Sequence, residues 1–179
     1  MKRAFFPLSL MVLIFLLSCT VAAFAQSHLI GRKAPDFQVV SGDDQQLSAD
    51  NLKGKIVFLF YEGKDAIEKN RALKNGLNAF FREQTPSVQQ GIRRIAVINC
   101  TSAAWPFTVI WKKNLREKSQ QEKITIYGDW DGEMLAAYGM KGNDSNLVII
   151  DKKGIIHFFR SGAIPPESLR EIKALLANM

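Results

Sequence analysis

Cysteine and histidine are both scarce in this 179-residue sequence, with two of each. The cysteines, Cys19 and Cys100, are far apart, so no C-x-x-C pair exists. Dithiol exchange within one chain therefore has no local motif. The histidines, His28 and His157, are equally isolated. No His/Cys cluster has metal-site spacing, and no metal or cofactor is expected. His157, in a strand, reads as a half-exposed structural side chain rather than a base. The phosphate cradle G-x-x-x-x-G-K-[ST] and the nucleophile elbow G-x-S-x-G are both missing. Beyond the N-terminal segment, no apolar run is long enough to span a bilayer.

Charge is abundant but mixed. The chain carries 24 basic and 17 acidic residues, a net charge of +7. Lys112, Lys113, Arg116 and Lys118 cluster, yet Glu117 and Glu122 interrupt them. That pattern reads as a solvated helix face, with contact to an anionic surface as the alternative. Phe58, Phe60, Trp105, Phe107, Trp111, Phe158 and Phe159 fall at core-like spacing. A stacking platform for single-stranded nucleic acid would need them exposed beside basic residues. No nucleic-acid partner is expected.

The first 25 residues have the parts of an export signal. Lys2 and Arg3 precede the apolar run Leu8 to Leu17, and Ala23-Phe24-Ala25 is a small-x-small cleavage site. A mature domain over residues 26–179 is expected, located in the periplasm. The competing reading takes Leu16-Leu17-Ser18-Cys19 as a lipoprotein box, with the protein anchored to the membrane at Cys19. Removing Lys2 and Arg3 leaves 22 basic against 17 acidic residues, a charge of about +5. The mature length is enough for one domain with its own core. Export leads to an oxidising compartment, but a mature chain retaining only Cys100 cannot form an internal disulfide.

The rest reads as alternating strands and helices. Phe37 to Leu47 reads as a hairpin around Ser41-Gly42-Asp43-Asp44. Ile56 to Tyr61 is a continuous apolar run, as expected of a strand buried on both faces. A helix is predicted over Asp65 to Arg82, with Asp65 and Glu68 as a capping-box pair. Thr85-Pro86-Ser87 ends it. Arg94 to Asn99 is a second buried strand. Phe107, Ile110, Trp111 and Leu115 mark a second helix. Lys123 to Tyr127 is a third strand, Asp131 to Tyr138 a short helix stopped near Gly139, and Leu147 to Ile150 a fourth strand. Asp151-Lys152-Lys153-Gly154 turns into a fifth strand over Ile155 to Phe159. Pro165-Pro166 opens the last helix. This alternation implies a parallel core sheet with right-handed crossovers, to which the final hairpin adds an antiparallel edge.

Several short motifs occur in this order. They are Gly31-Arg32-Lys33-Ala34-Pro35-Asp36-Phe37, Leu52-Lys53-Gly54-Lys55, Asp131-Gly132-Glu133 with Ala137-Tyr138-Gly139, and Ile149 to Gly154. Together they resemble the redoxin and peroxiredoxin branch of the thioredoxin-like superfamily. The resemblance implies a three-layer α/β/α sandwich with a mixed central sheet and an N-terminal β-hairpin. More narrowly, Glu68-Lys69-Asn70-Arg71-Ala72-Leu73 and Ser161 to Glu167 are similar to segments of the YtfJ family of small periplasmic proteins. That family carries over location and fold, not a reaction.

In redox-active relatives a C-x-x-C pair opens the first long helix, where the helix N-terminus lowers the thiol pKa. Alignment through Gly54-Lys55 puts those positions at Ala66 and Lys69, one turn apart in the first turn of that helix. The relatives' cis-proline position falls at Ser145, and no proline lies between Lys141 and Asn146. Both redox devices are missing. The resemblance thus implies a binding or scaffolding role toward an envelope protein rather than an enzyme. The candidate binding residues are Lys64, Asp65, Glu68, Lys69, Asn70 and Ser145. The alternative is a thiol-dependent oxidoreductase or peroxidase using Cys100, with Arg93 and Arg94 nearby in sequence. An ordinary free thiol, with a pKa of about 8.5, is only a few per cent thiolate at neutral pH.

Overall fold

The computed structural model describes residues 28–179. The leader expected over residues 1–25, with Cys19, lies outside the described residues. Along the chain the strands are β1 (Gln38–Ser41), β2 (Gln46–Ser48), β3 (Ile56–Glu62), β4 (Ile92–Asn99), β5 (Ile126–Asp129), β6 (Ser145–Ile150) and β7 (Ile156–Ser161). The α-helices are α1 (Arg71–Glu83), α2 (Pro86–Gln90), α3 (Thr108–Glu122), α4 (Glu133–Tyr138) and α5 (Ser168–Leu176). The strands form one sheet in the order β2-β1-β5-β4-β3-β6-β7. β3, β4 and β5 run parallel, and the other neighbouring pairs are antiparallel. The mixed sheet and its N-terminal hairpin match the expectation.

Every residue of β3 is buried, as its unbroken apolar run requires. Val57, Leu59 and Tyr61 face one side of the sheet, where Leu29, Phe37, Met134 and Tyr138 cover them. Ile56, Phe58 and Phe60 face the other, against Leu73 and Leu77 of α1 and Ile172 and Leu176 of α5. On that second side Leu115 of α3 packs over Ile98 and Ile126. Each fully buried large aliphatic or aromatic side chain contributes about 1.5–3 kcal/mol, so these two layers dominate stability. Gly139 ends α4 in the left-handed region at φ 59°, where a side chain would be strained.

Several sequence expectations shift. The parallel core is limited to three strands, because β6 enters antiparallel to β3, with Ser145 opposite Glu62. α4 has six residues, a length of about 9 Å. It is too short to return the chain to the far end of the sheet, so β6 starts at the edge where β5 ends. The strand predicted from Lys123 begins at Ile126, because Lys123 closes α3 with φ 54°. Pro86, expected only as a stop, also opens the short helix α2 at its first turn. The largest correction is α1, which begins at Arg71 rather than Asp65.

Candidate functional site

β3 ends at Glu62, a carboxylate only 3% exposed. Lys74 Nζ, from the first turn of α1, donates to both its oxygens at 3.1 and 3.0 Å. The same ammonium donates to the Ile67 carbonyl. Ser145 Oγ donates to Glu62 Oε1 at 2.9 Å and accepts from Asn70 Nδ2 at 2.9 Å. Asn70 Nδ2 also donates to the Gly162 carbonyl, and its Oδ1 accepts from the Ile164 N–H, both at 2.9 Å. One hydrogen-bonded chain therefore runs from the loop after β7, through Asn70, Ser145 and Glu62, to Lys74. Burial pushes the Glu62 carboxyl above its ordinary value, opposed by Lys74 and Ser145.

The segment between β3 and α1 is folded as successive tight turns. Ala66 N–H donates to the Gly63 carbonyl, Lys69 N–H to that of Ala66, and Arg71 N–H to that of Glu68. Gly63 presses against the loop before β6, where an added Cβ would lie 2.8 Å from the Gly142 carbonyl oxygen. Glycine is what lets the two backbones approach. Lys69 pairs with Asp144 at 2.5 Å. The Asp144 carboxyl sits below its ordinary value: burial pushes it up, but the bonds from Lys69 and the Ser145 N–H outweigh that.

These contacts redistribute the candidate residues. Lys64, Asp65, Glu68 and Lys69 are exposed, whereas Asn70 and Ser145 are buried against each other. The last two brace the junction and present nothing to a partner. The capping box at Asp65 and Glu68 does not form. Asn70 precedes α1 without a side-chain cap, and Glu68 pairs with Arg71 instead. Ala66 and Lys69 are one turn apart, as expected, but in the turns before the helix rather than in its first turn.

Cys100 lies at the end of β4, 1% exposed. Burial and the nearby Asp129 carboxylate push its thiol up to about 12. Tyr61 donates to Asp129 Oδ2 at 3.0 Å, so that carboxylate is already engaged. Arg93 is exposed and Arg94 is held elsewhere, by Asn78. His157 is partly exposed and bonds Asp151 at 2.9 Å. Among the described residues no group of three His, Cys, Asp or Glu side chains could hold a metal ion.

The next junction, after β4, contradicts the core-like reading of its aromatics. Trp105 is 87% exposed, and Phe107, Val109 and Ile110 are each more than half exposed. Only Trp111 and Leu115 of the predicted stripe turn inward. α3 begins at Thr108, so Trp105 and Phe107 precede its regular turns. Sequence reasoning missed both this patch and Glu62. The visible signal for Glu62 was an acidic residue ending an otherwise apolar strand.

A mixed sheet with this order, covered by helices on both faces, defines a thioredoxin-like α/β fold. The AhpC/TSA family matches residues 30–159, and the chain belongs to that family. Among solved structures it is similar to the pneumococcal exposed lipoprotein thioredoxin Etrx1 from Streptococcus pneumoniae. That match has 16% identity and a TM-score of 0.58, covering 79% of this chain and 99% of the other. The thioredoxin domain of thiol-disulfide oxidoreductase BVU-2223 from Bacteroides vulgatus matches with 16% identity and a TM-score of 0.57, covering 82% and 96%. Plasmodium vivax 2-Cys peroxiredoxin in its reduced form matches with 21% identity and a TM-score of 0.54, covering 84% and 98%. No curated protein matches the chain. No helix among the described residues is long and apolar enough to cross a membrane.

Proposed function

We propose that this chain is an exported, periplasmic member of the YtfJ-like group that performs no dithiol chemistry and acts by docking a protein partner in the cell envelope. The observation that carries this reading is the replacement of the redox pair. Ala66 and Lys69 occupy its aligned positions, and the junction around them is closed by the Asn70–Ser145–Glu62–Lys74 network. No thiolate could form there. The opposite reading, an oxidoreductase or peroxidase using Cys100, would require a thiol that reaches solvent and ionises near neutral pH. Burial opposes both.

A docking role is supported by what remains exposed at this edge of the sheet. Lys64, Asp65, Glu68 and Lys69 lie beyond β3, and the apolar group Trp105, Phe107, Val109 and Ile110 lies beyond its neighbour β4. An exposed tryptophan with neighbouring exposed apolar side chains is the composition of a protein-docking patch. A photo-crosslinking residue at Asp65, and another at Trp105, should each capture the same discrete partner in intact cells. A crosslinker at Lys153, in the turn between β6 and β7, should not. Capture at Lys153 alone, or at none of the three, refutes the docking surface. Insulin reduction or peroxide turnover that disappears in Cys100→Ser promotes the enzyme reading instead.

A further inference from the structure

α1 packs on α5, while α3 packs on β5 and β1. Between α1 and α3 a gap is left over the middle of β4, around Arg94 and Ala96, forming a cavity of about 400 Å³. Its floor is Phe58, Phe60, Ala96 and Ile98, and its walls include Leu77 of α1 and Trp111 of α3. Along β4 the lining runs from Arg94 to Ile98, a span of about 13 Å at strand rise. Arg71 reaches from α1 to Glu122 on α3 at 3.3 Å, tying the two walls together.

Two cations lining the cavity have no carboxylate partner among the described residues, the exposed Lys64 and the half-buried Arg94, and Arg94 is the one held within the fold. Its guanidinium lies 4.2 Å from the centre of the Phe81 ring and donates to Asn78 Oδ1 at 2.8 Å. Those are neutral partners, and among the described residues no carboxylate forms an ion pair with it. The cations of Lys74, Lys118 and Arg71 at the same cavity are each matched by Glu62 or Glu122. Burial lowers the Arg94 pKa, and the nearby Arg82 charge lowers it further. A half-buried cation with a like charge beside it and no counterion is a ready anion partner.

We infer that the groove between α1 and α3 binds an aliphatic monocarboxylate, its carboxylate on Arg94 and its chain laid over Phe60, Ala96 and Ile98 against Trp111. The volume falls within the range of small-ligand sites, and an apolar trough with one placed charge selects amphipathic anions. The cavity adjoins the docking edge at Lys64, which lines it, but the inference does not depend on docking there.

Calorimetric titration of decanoate into the protein purified from cells expressing the full chain tests the inference. Saturable binding is expected, with decanol at least roughly tenfold weaker, because a charge-assisted hydrogen bond is missing. Acetate, which lacks the chain, should not bind measurably. Arg94→Gln should weaken decanoate roughly tenfold. Ala96→Leu, which fills the floor and leaves Arg94 intact, should do the same. On the unaltered protein, decanoate should shift the NMR signal of the Trp111 indole and leave that of Trp105 in place. Absence of saturable binding overturns the inference. So does equal affinity for decanol, unchanged affinity in folded Arg94→Gln or Ala96→Leu protein, or a shift confined to Trp105.

Discussion

Two strand-to-helix connections leave the same edge of the sheet, and they are built in opposite ways. The connection after β3 is held from a distance. Its Asn70 and Lys69 bond to Ser145, Gly162, Ile164 and Asp144, all at least 75 residues later in the chain. The connection after β4 is held mostly by its own neighbours. Thr101 bonds Asn99 Oδ1, Ala103 N–H donates to the Cys100 carbonyl, and Thr108 Oγ1 donates to the Ala103 carbonyl. Two longer bonds anchor its base, from Asn99 Nδ2 to the Gly142 carbonyl and from the Cys100 N–H to the Asp129 carbonyl. The first connection buries the amide of Asn70 beside the Glu62–Lys74 pair, and the second exposes tryptophan. Equal topological positions have thus been given different tasks, one bracing the sheet edge and the other offering apolar surface.

The contrast breaks most sharply at Lys74. In Lys74→Met the buried Glu62 loses its countercharge, which should cost about 3–5 kcal/mol at neutral pH by chemical denaturation. The pH dependence has a definite sign. The folded state binds the Glu62 proton more tightly than the unfolded chain does, since burial raises that pKa. The stability gained from protonating Glu62 is fully present below its ordinary value of 4.5 and is lost as pH rises through the raised value. The deficit of Lys74→Met should therefore shrink on acidification. A deficit that grows as pH falls contradicts this assignment.

Asn70→Ala comes next. It removes three hydrogen bonds at a buried position and strands the Gly162 carbonyl and Ile164 N–H. A loss of about 2–3 kcal/mol is expected, with the loop after β7 losing amide protection first. A change below about 0.5 kcal/mol would mean that the connection after β3 is no better braced than its neighbour.

The smallest effect belongs to the second connection. Trp105→Ser combined with Phe107→Ser removes exposed rings, so unfolding free energy should stay within about 0.5 kcal/mol per site. Crosslinking to the proposed envelope partner should nevertheless fall. Destabilisation beyond about 2 kcal/mol would erase the contrast between the two connections.

How much of this was legible in sequence depends on the range of the forces involved. β3 and α5 could be read because their apolar patterns are local and unbroken. α1 was placed too early because Asp65 and Glu68 form a good local capping pattern. The fold overrides it by fastening Asn70 to residues that no spacing rule connects to it. The exposed Trp105 and Phe107 escaped for the complementary reason: helical spacing continues past Thr108 in sequence, but the helix does not extend back to them. Arg94 entered the sequence reading only as the start of a strand and a neighbour of Cys100, and the separation of α1 and α3 is what shows that it lines an open trough.

The late pairing of β6 with β3 also sets an order of events. Val57 aligns with Ile150 and Glu62 with Ser145, so one edge of the most buried strand stays open until the last fifth of the chain has emerged. At synthesis rates of about 5–20 residues per second, β3 waits roughly 4–19 s for that partner. Throughout that interval a strand edge that is apolar up to Glu62 is available to any other chain, and contacts this distant in sequence are slow to close. A chain truncated before Ser145 would keep that edge permanently. The vulnerability of this protein to aggregation is therefore concentrated in a nascent state, before the final hairpin arrives.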